Sequence, residues 1–248
     1  MHSFTESKVR SMFRQNKSKK WAVYNQSHIS RIYPAGSRVD SSNYSPLLAW
    51  SVGCQMVSLN FQTSDVNLRS NDGRFRENGN CGYVLKPSSI LSDFDPTQPP
   101  PVPVKLSVKV LSGANLPKAR GESIGDCIDP YVKVSVFDVK AEGKETVTTL
   151  TTDPFPGNGF FPIWNHEKFV FIVENAAVAI FQITVHDKEK GAVVGSDEFI
   201  AGASIPISCL RRGVRSVKLF DANNTRSGPF DFASLLVDLR IERANQEV

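Results

Sequence analysis

No stretch of the 248-residue chain approaches the roughly 18 consecutive apolar residues that a membrane-spanning helix needs. The segment Met1 to Lys20 is polar and basic and has no apolar core, so it does not read as a secretory signal. Cysteine is sparse: Cys54, Cys81, Cys127 and Cys209 are scattered, with no CxxC or other metal-ligand spacing. That usage fits reduced thiols in a cytosolic protein, where the sequons at Asn25 and Asn223 would never meet the glycosylation machinery. The histidines, His2, His28, His166 and His186, are equally dispersed and read as structural.

The net charge of +4 is unevenly spread. Residues 1–103 carry 12 Lys+Arg against 7 Asp+Glu, whereas residues 104–243 carry 17 of each. Much of the excess sits in Lys8, Arg10, Arg14, Lys17, Lys19 and Lys20. Such a run is either a solvated helix face or a surface for anionic phospholipid. It lacks interleaved aromatics and fits no nucleic-acid motif, so no nucleic-acid partner is expected.

What is present divides in two. SDFDPTQPPPVP (Ser92 to Pro103) has prolines that remove backbone donors and push their neighbours toward extended conformations, so it reads as a linker over 92–103. After it, over 104–244, come eight short β-branched segments in about 140 residues, separated by Gly, Pro, Asn and Asp. In the first, Val104, Leu106, Val108 and Val110 alternate with Lys105, Ser107 and Lys109. That pattern predicts an antiparallel β-sandwich with its own core, able to fold alone. Before the linker, over 1–91, Ser30–Tyr33 and Cys54–Phe61 read as strands. Ser7–Phe13 reads as a helix, and Tyr44–Gly53 has helical spacing at Leu47, Leu48 and Trp50. This alternation predicts parallel α/β packing. About 90 residues are too few for a (β/α)₈ barrel of about 250, so this part reads as a piece of a domain with open sheet edges.

Three ordered segments carry a resemblance: RIYPAGSRVDSSNYSP (Arg31 to Pro46), GCQMVSLNFQT (Gly53 to Thr63) and NGNCGYVLKP (Asn78 to Pro87), preceded by SFTE at Ser3–Glu6. They resemble the second catalytic box, the Y box, of eukaryotic phosphoinositide-specific phospholipases C, in which that box is followed by a C2 domain. The resemblance implies the C-terminal strands of a catalytic TIM barrel, then an all-β C2 sandwich. It implies hydrolysis of phosphatidylinositol 4,5-bisphosphate to diacylglycerol and inositol trisphosphate in intracellular signalling. In that family two histidines act as acid and base, a calcium ion stabilises the developing negative charge, and a cyclic phosphodiester is the expected intermediate. The histidines and catalytic calcium ligands belong to the first box, which these residues do not match. A start at Met1, just ahead of SFTE, would cut inside the barrel. The chain alone is therefore expected to be inactive and to need that first box as partner.

The second box supplies headgroup recognition. By resemblance Arg31 contacts a ring phosphate, Tyr33 lays its ring on the inositol and Ser3 gives a hydrogen bond. Ser37 stands where several animal members carry a bulky apolar residue of a membrane-dipping ridge.

C2 domains hold calcium between loops at one end of the sandwich. The carboxylates here are Asp126 and Asp129 in the first loop, and Asp187, Glu189 and Asp197 in the third. Asn158 is a weaker candidate, since the family usually has Asn at the place of Phe161. Lys188 and Lys190 could instead neutralise the third loop. The implied cofactor is calcium, the implied partner an anionic membrane surface, and the implied location cytoplasmic and peripherally membrane-associated. The alternative is a non-catalytic, calcium-dependent phospholipid-binding module.

Overall fold

Buried strands and helices alternate through the first part of the chain, and its strands lie parallel, as that alternation requires. β1 (His2–Thr5), β2 (Ser30–Tyr33) and β3 (Met56–Val57) form one sheet in sequence order. The structure, a computed structural model, describes residues 1–87, 90–91, 102–118, 127–140, 142–188 and 197–244. Most of the proline-rich linker lies outside the described residues, as do Asp126, Glu189 and Lys190.

This part of the chain also holds four helices: α1 (Glu6–Arg14), α2 (Ser18–Ser27), α3 (Leu47–Ser51) and α4 (Val66–Phe75). α1 carries an acid in its first turn and Arg14 in its last, complementing the helix dipole. α4 starts where the Asp65 carboxylate accepts from the N–H groups of Asn67 and Leu68. Ile32, fully buried, points from β2 into a core with Val9, Trp21, Leu47, Leu48 and Trp50.

The strand expected over Cys54–Phe61 shrinks to Met56–Val57. Beyond it the backbone is satisfied by side chains rather than by another strand: Asn60 N–H donates to Asn43 Oδ1 at 2.6 Å, and Tyr44 Oη donates to Ser58 O at 3.0 Å. The helical spacing of Tyr44–Gly53 becomes only the five-residue α3. α2 and α4 had no counterpart in the sequence reading. α4 has little apolar periodicity because the side it buries includes Ser70, Gly73 and Arg74.

The eight β-branched segments form eight strands. They are β4 (Val104–Ala114), β5 (Pro130–Val139), β6 (Glu145–Thr151), β7 (Phe169–Val173), β8 (Ile180–Asp187), β9 (Glu198–Pro206), β10 (Gly213–Lys218) and β11 (Ser234–Arg243). Two antiparallel sheets, ordered β10-β11-β4-β7 and β6-β5-β8-β9, enclose Leu106, Val108, Val110, Val132, Val134, Ile183, Val185, Leu235 and Val237. Strand alternation sends the neighbouring residues of β5 and β8 to the opposite face.

That opposite face is not left to water. Phe137, Val139, Val178 and Ile180 join the same apolar cluster as Leu48 and Trp50. The sandwich therefore has its own core, but one of its sheets also completes the core of the α/β part. α4 forms much of the seam. At Gly73 an added Cβ would fall 2.4 Å from the Ser204 carbonyl oxygen, so only glycine allows this approach. Arg74, buried, donates to Ala177 O at 3.0 Å. Arg69 and Arg76 lie over the rings of Phe199 and Phe220 at 4.7 and 3.6 Å.

His186 lies in this seam between Tyr131 and Phe199, with centroid distances of 5.6 and 5.7 Å. Burial, then the positive charges of Lys133 and Arg69, push its pKa down to about 4, although Asp197 pulls the other way. The folded ring stays neutral while an unfolded one, near 6.5, takes a proton. Its contribution is thus lost as pH falls from about 6.5 toward about 4. In urea titrations at pH 7 and pH 5, His186→Gln should lose about 2 kcal/mol less stability than the wild type over that interval; an equal loss would contradict the assignment.

Candidate functional site

The parallel register places Ser3 opposite Arg31 and Thr5 opposite Tyr33. All four side chains leave one face of the sheet, while Phe4 and Ile32 point to the helices. The Arg31 guanidinium carbon lies 5.5 Å from the Tyr33 ring centroid. Arg31 has no carboxylate partner among the described residues. A half-buried guanidinium over an aromatic ring, without a counter-ion, suits an anionic ligand carrying a flat apolar face. β1 is hydrogen-bonded to β2, and Ser3 is exposed beside Arg31.

Sequence reasoning missed the pair that fixes the turn beyond Tyr33. Glu6, almost fully buried at the start of α1, binds Arg38 through both carboxylate oxygens; Arg38 Nη2 donates at 2.8 Å and Nε closes the fork. The Ala35 N–H donates to the same carboxylate at 3.2 Å. Burial pushes the Glu6 carboxyl up, but the Arg38 hydrogen bonds, the Ala35 N–H and the arginine charges outweigh it and hold the group below its usual range. Arg38 also donates to Ser42 Oγ at 3.0 Å. Beyond it, Asn43 accepts from Asn60 and receives support from Asp65, tying the loops after β2 and β3 together. Both residues lay inside the segments that carry the resemblance, but nothing in their spacing marks two charges 32 positions apart as partners.

At the far end of the sandwich, two of the five sequence-predicted metal-ligand residues are hydrogen-bonded neighbours. The Asp129 N–H donates to Asp187 Oδ1 at 2.8 Å, and Asp129 Oδ1 accepts from Gly157 N–H at 2.7 Å. Asp197 does not join them. Tyr131 Oη donates to its Oδ2 at 2.7 Å and Lys188 Nζ to its Oδ1 at 3.1 Å, and both hold the carboxyl below its usual range. The physical reason is alternation: Asp187 pairs with Glu198, so Asp197 falls on the other face, beside Tyr131 and His186. Asn158 is committed as well, bridging the Phe161 N–H and carbonyl at 2.9 and 3.1 Å.

Among the described residues no group of three metal-binding side chains converges. Asp129 and Asp187 fit calcium in donor chemistry, as hard carboxylate oxygens, but calcium takes six to eight oxygens. Two carboxylates alone do not fill such a shell. Asp126 and Glu189, expected to add to it, lie outside the described residues.

Comparison with known proteins gives the architecture its class. Residues 1–89 match the family model "Phosphatidylinositol-specific phospholipase C, Y domain", and residues 104–221 match the C2 domain. The chain is thus a Y domain followed by a C2 domain. It is 37% identical over 99% of its length to 1-phosphatidylinositol 4,5-bisphosphate phosphodiesterase delta-4 of Xenopus laevis, covering 32% of that protein. It is 33% identical over 98% of its length to the delta-3 enzyme of Homo sapiens, covering 30%. The crystal structure of L. pealei PLC21 superposes over 100% of this chain and 30% of that one, with a TM-score of 0.80 at 28% identity. The chain belongs to the eukaryotic phosphoinositide-specific phospholipase C family and spans about a third or less of the length of the curated relatives named here.

Breaking a buried ion pair from one side leaves the other charge without a partner. Arg38→Ala should lower stability by about 3 kcal/mol in urea unfolding, whereas the exposed Arg14→Ala should change it by less than about 0.5 kcal/mol.

Proposed function

We propose that this chain is the headgroup-binding and membrane-docking part of a phosphoinositide phospholipase C that hydrolyses phosphatidylinositol 4,5-bisphosphate to diacylglycerol and inositol trisphosphate. The observation that carries the proposal is the sheet face where Ser3, Arg31 and Tyr33 stand together, Arg31 without a carboxylate partner among the described residues. On this reading β1, β2 and β3 are the last strands of a TIM barrel and that face is turned to its interior. Arg31 holds a ring phosphate as a planar fork, Tyr33 lies on the inositol ring, and Ser3 donates a hydrogen bond. The Glu6–Arg38 pair keeps the turn after Tyr33 in place.

The acid, the base and the catalytic calcium ligands are assigned to the family's first box, outside these residues. The chain's own part in the reaction is to orient the headgroup, so that the inositol 2-hydroxyl faces the phosphodiester. In the C2 part, Asp129 and Asp187, with Asp126 and Glu189, would hold calcium and draw the domain to anionic phospholipid. Asp197 is left to its ion pair with Lys188. Among the described residues no helix is long and apolar enough to cross a membrane; on this reading the chain attaches peripherally, from the cytoplasm, through its C2 loops.

Phosphatidylinositol bisphosphate hydrolysis by this chain, alone and with the first box added as a separate polypeptide, tests the division of labour. No turnover is expected alone and turnover is expected on addition. Turnover by the chain alone would refute the assignment of the catalytic groups to the first box.

A further inference from the structure

Each sheet of the sandwich ends in two edge strands, and an open edge offers a row of unpaired N–H and C=O groups to any strand that meets it. Three of these edges are guarded. β6 carries Glu145 and a run of threonines, and β10 carries Arg215 and Lys218. On β9, Gly202 exchanges both backbone hydrogen bonds with Phe220, each at 2.9 Å.

β7 has no such guard. Its five residues, FVFIV, include no charge and no proline, and they pair with β4 without a bulge. Among the described residues β4 is its sole strand partner. Phe169, Phe171 and Val173 turn into the core, whereas Val170 and Ile172 stand on the outer face, 45% and 58% exposed. The α/β part does not shield them, because the sandwich residues that join its core come from β5, β8 and the turn before β8.

Charges stand just beyond both ends of the strand. Lys168 precedes it, exposed and without an ion pair among the described residues. Glu174 follows it, half-buried and paired with Lys140 of its own chain at 3.0 Å. Alternation puts positions 168, 170, 172 and 174 on one face. Read from either end about Phe171, that face runs charge, β-branched residue, β-branched residue, opposite charge.

We infer that β7 pairs antiparallel with β7 of a second copy of this chain, about a twofold axis at Phe171, joining two four-stranded sheets into one. In this register Val170 lies opposite Ile172 of the second copy, and Lys168 opposite Glu174 of the second copy. The twofold repeats each contact, so both ends carry an opposite-charge pair. Backbone hydrogen bonds satisfy the open edge, and the cross-strand pairs add specificity. A shift of the axis by one residue sets Glu174 opposite Val170 and loses both ion pairs. This self-match in charge and in apolar residues favours a second copy over an unrelated strand. Five residues a side make a small contact, so the association is reversible and depends on concentration.

Sedimentation velocity of the whole chain over a concentration series, with charge reversals at the two flanks, tests the pairing. Wild type should show a monomer–dimer equilibrium. Lys168→Glu and Glu174→Lys, each alone, set like charges opposite one another at both ends. Each should weaken the dimer by about tenfold, with far-ultraviolet circular dichroism unchanged. An equimolar mixture of the two variants is complementary at both ends and should form a heterodimer of wild-type affinity. Wild type that stays monomeric throughout overturns the inference and leaves the edge to a strand of another protein. A dimer that neither reversal weakens, or a weakening that mixing does not restore, overturns the pairing of β7 with itself.

Discussion

The outer face of the β6-β5-β8-β9 sheet is the surface on which the rest of the molecule depends. A three-stranded parallel sheet with four helices cannot enclose a core by itself. Phe137, Val139, Val178 and Ile180 supply the missing wall, and each is at least nine-tenths buried. At about 25 cal/mol per Å², such side chains contribute on the order of 2 kcal/mol each. Gly73 and the three arginines Arg69, Arg74 and Arg76 set how closely α4 approaches that face. The geometry of the headgroup face and that of the sandwich loops are thereby held in one frame. The loop after β3 even touches the loop before β11, Ser64 Oγ donating to Asn223 Oδ1 at 3.3 Å.

Much of this was legible beforehand. The sandwich was readable because period-2 alternation in segments such as Val104–Val110 survives burial of one face only, and all eight strands formed where β-branched residues cluster. β2 was readable with its ends, since Ser30–Tyr33 is bounded by His28 and Pro34. α4 was opaque for a physical reason: it packs through Gly73 and arginine stems and guanidinium planes, so the period of its apolar residues says little about its contacts. β3 was overextended because Leu59 and Phe61 continue the apolar run while Asn43 and Tyr44, from another loop, take over the backbone hydrogen bonds.

The candidate site divides the same way. Arg31 and Tyr33 are two apart on one strand, and their shared face follows from spacing alone. Ser3 joins them only through parallel register, and Glu6 reaches Arg38 only through the fold. In the sandwich, the acidic residues of the third loop looked like one set. Strand alternation separates Asp187 from Asp197 and gives the latter to Lys188 and Tyr131. Pairing across a sheet decides such cases, and local sequence does not contain it.

The central claim, that the Arg31–Tyr33 face recognises a phosphorylated inositol, is tested most directly by calorimetric titration of the whole chain with inositol trisphosphate and with unphosphorylated inositol. The account predicts binding of the trisphosphate alone, weakened at least tenfold in Arg31→Ala, a substitution at a position without a carboxylate partner among the described residues. Equal binding of trisphosphate by wild type and Arg31→Ala would contradict it.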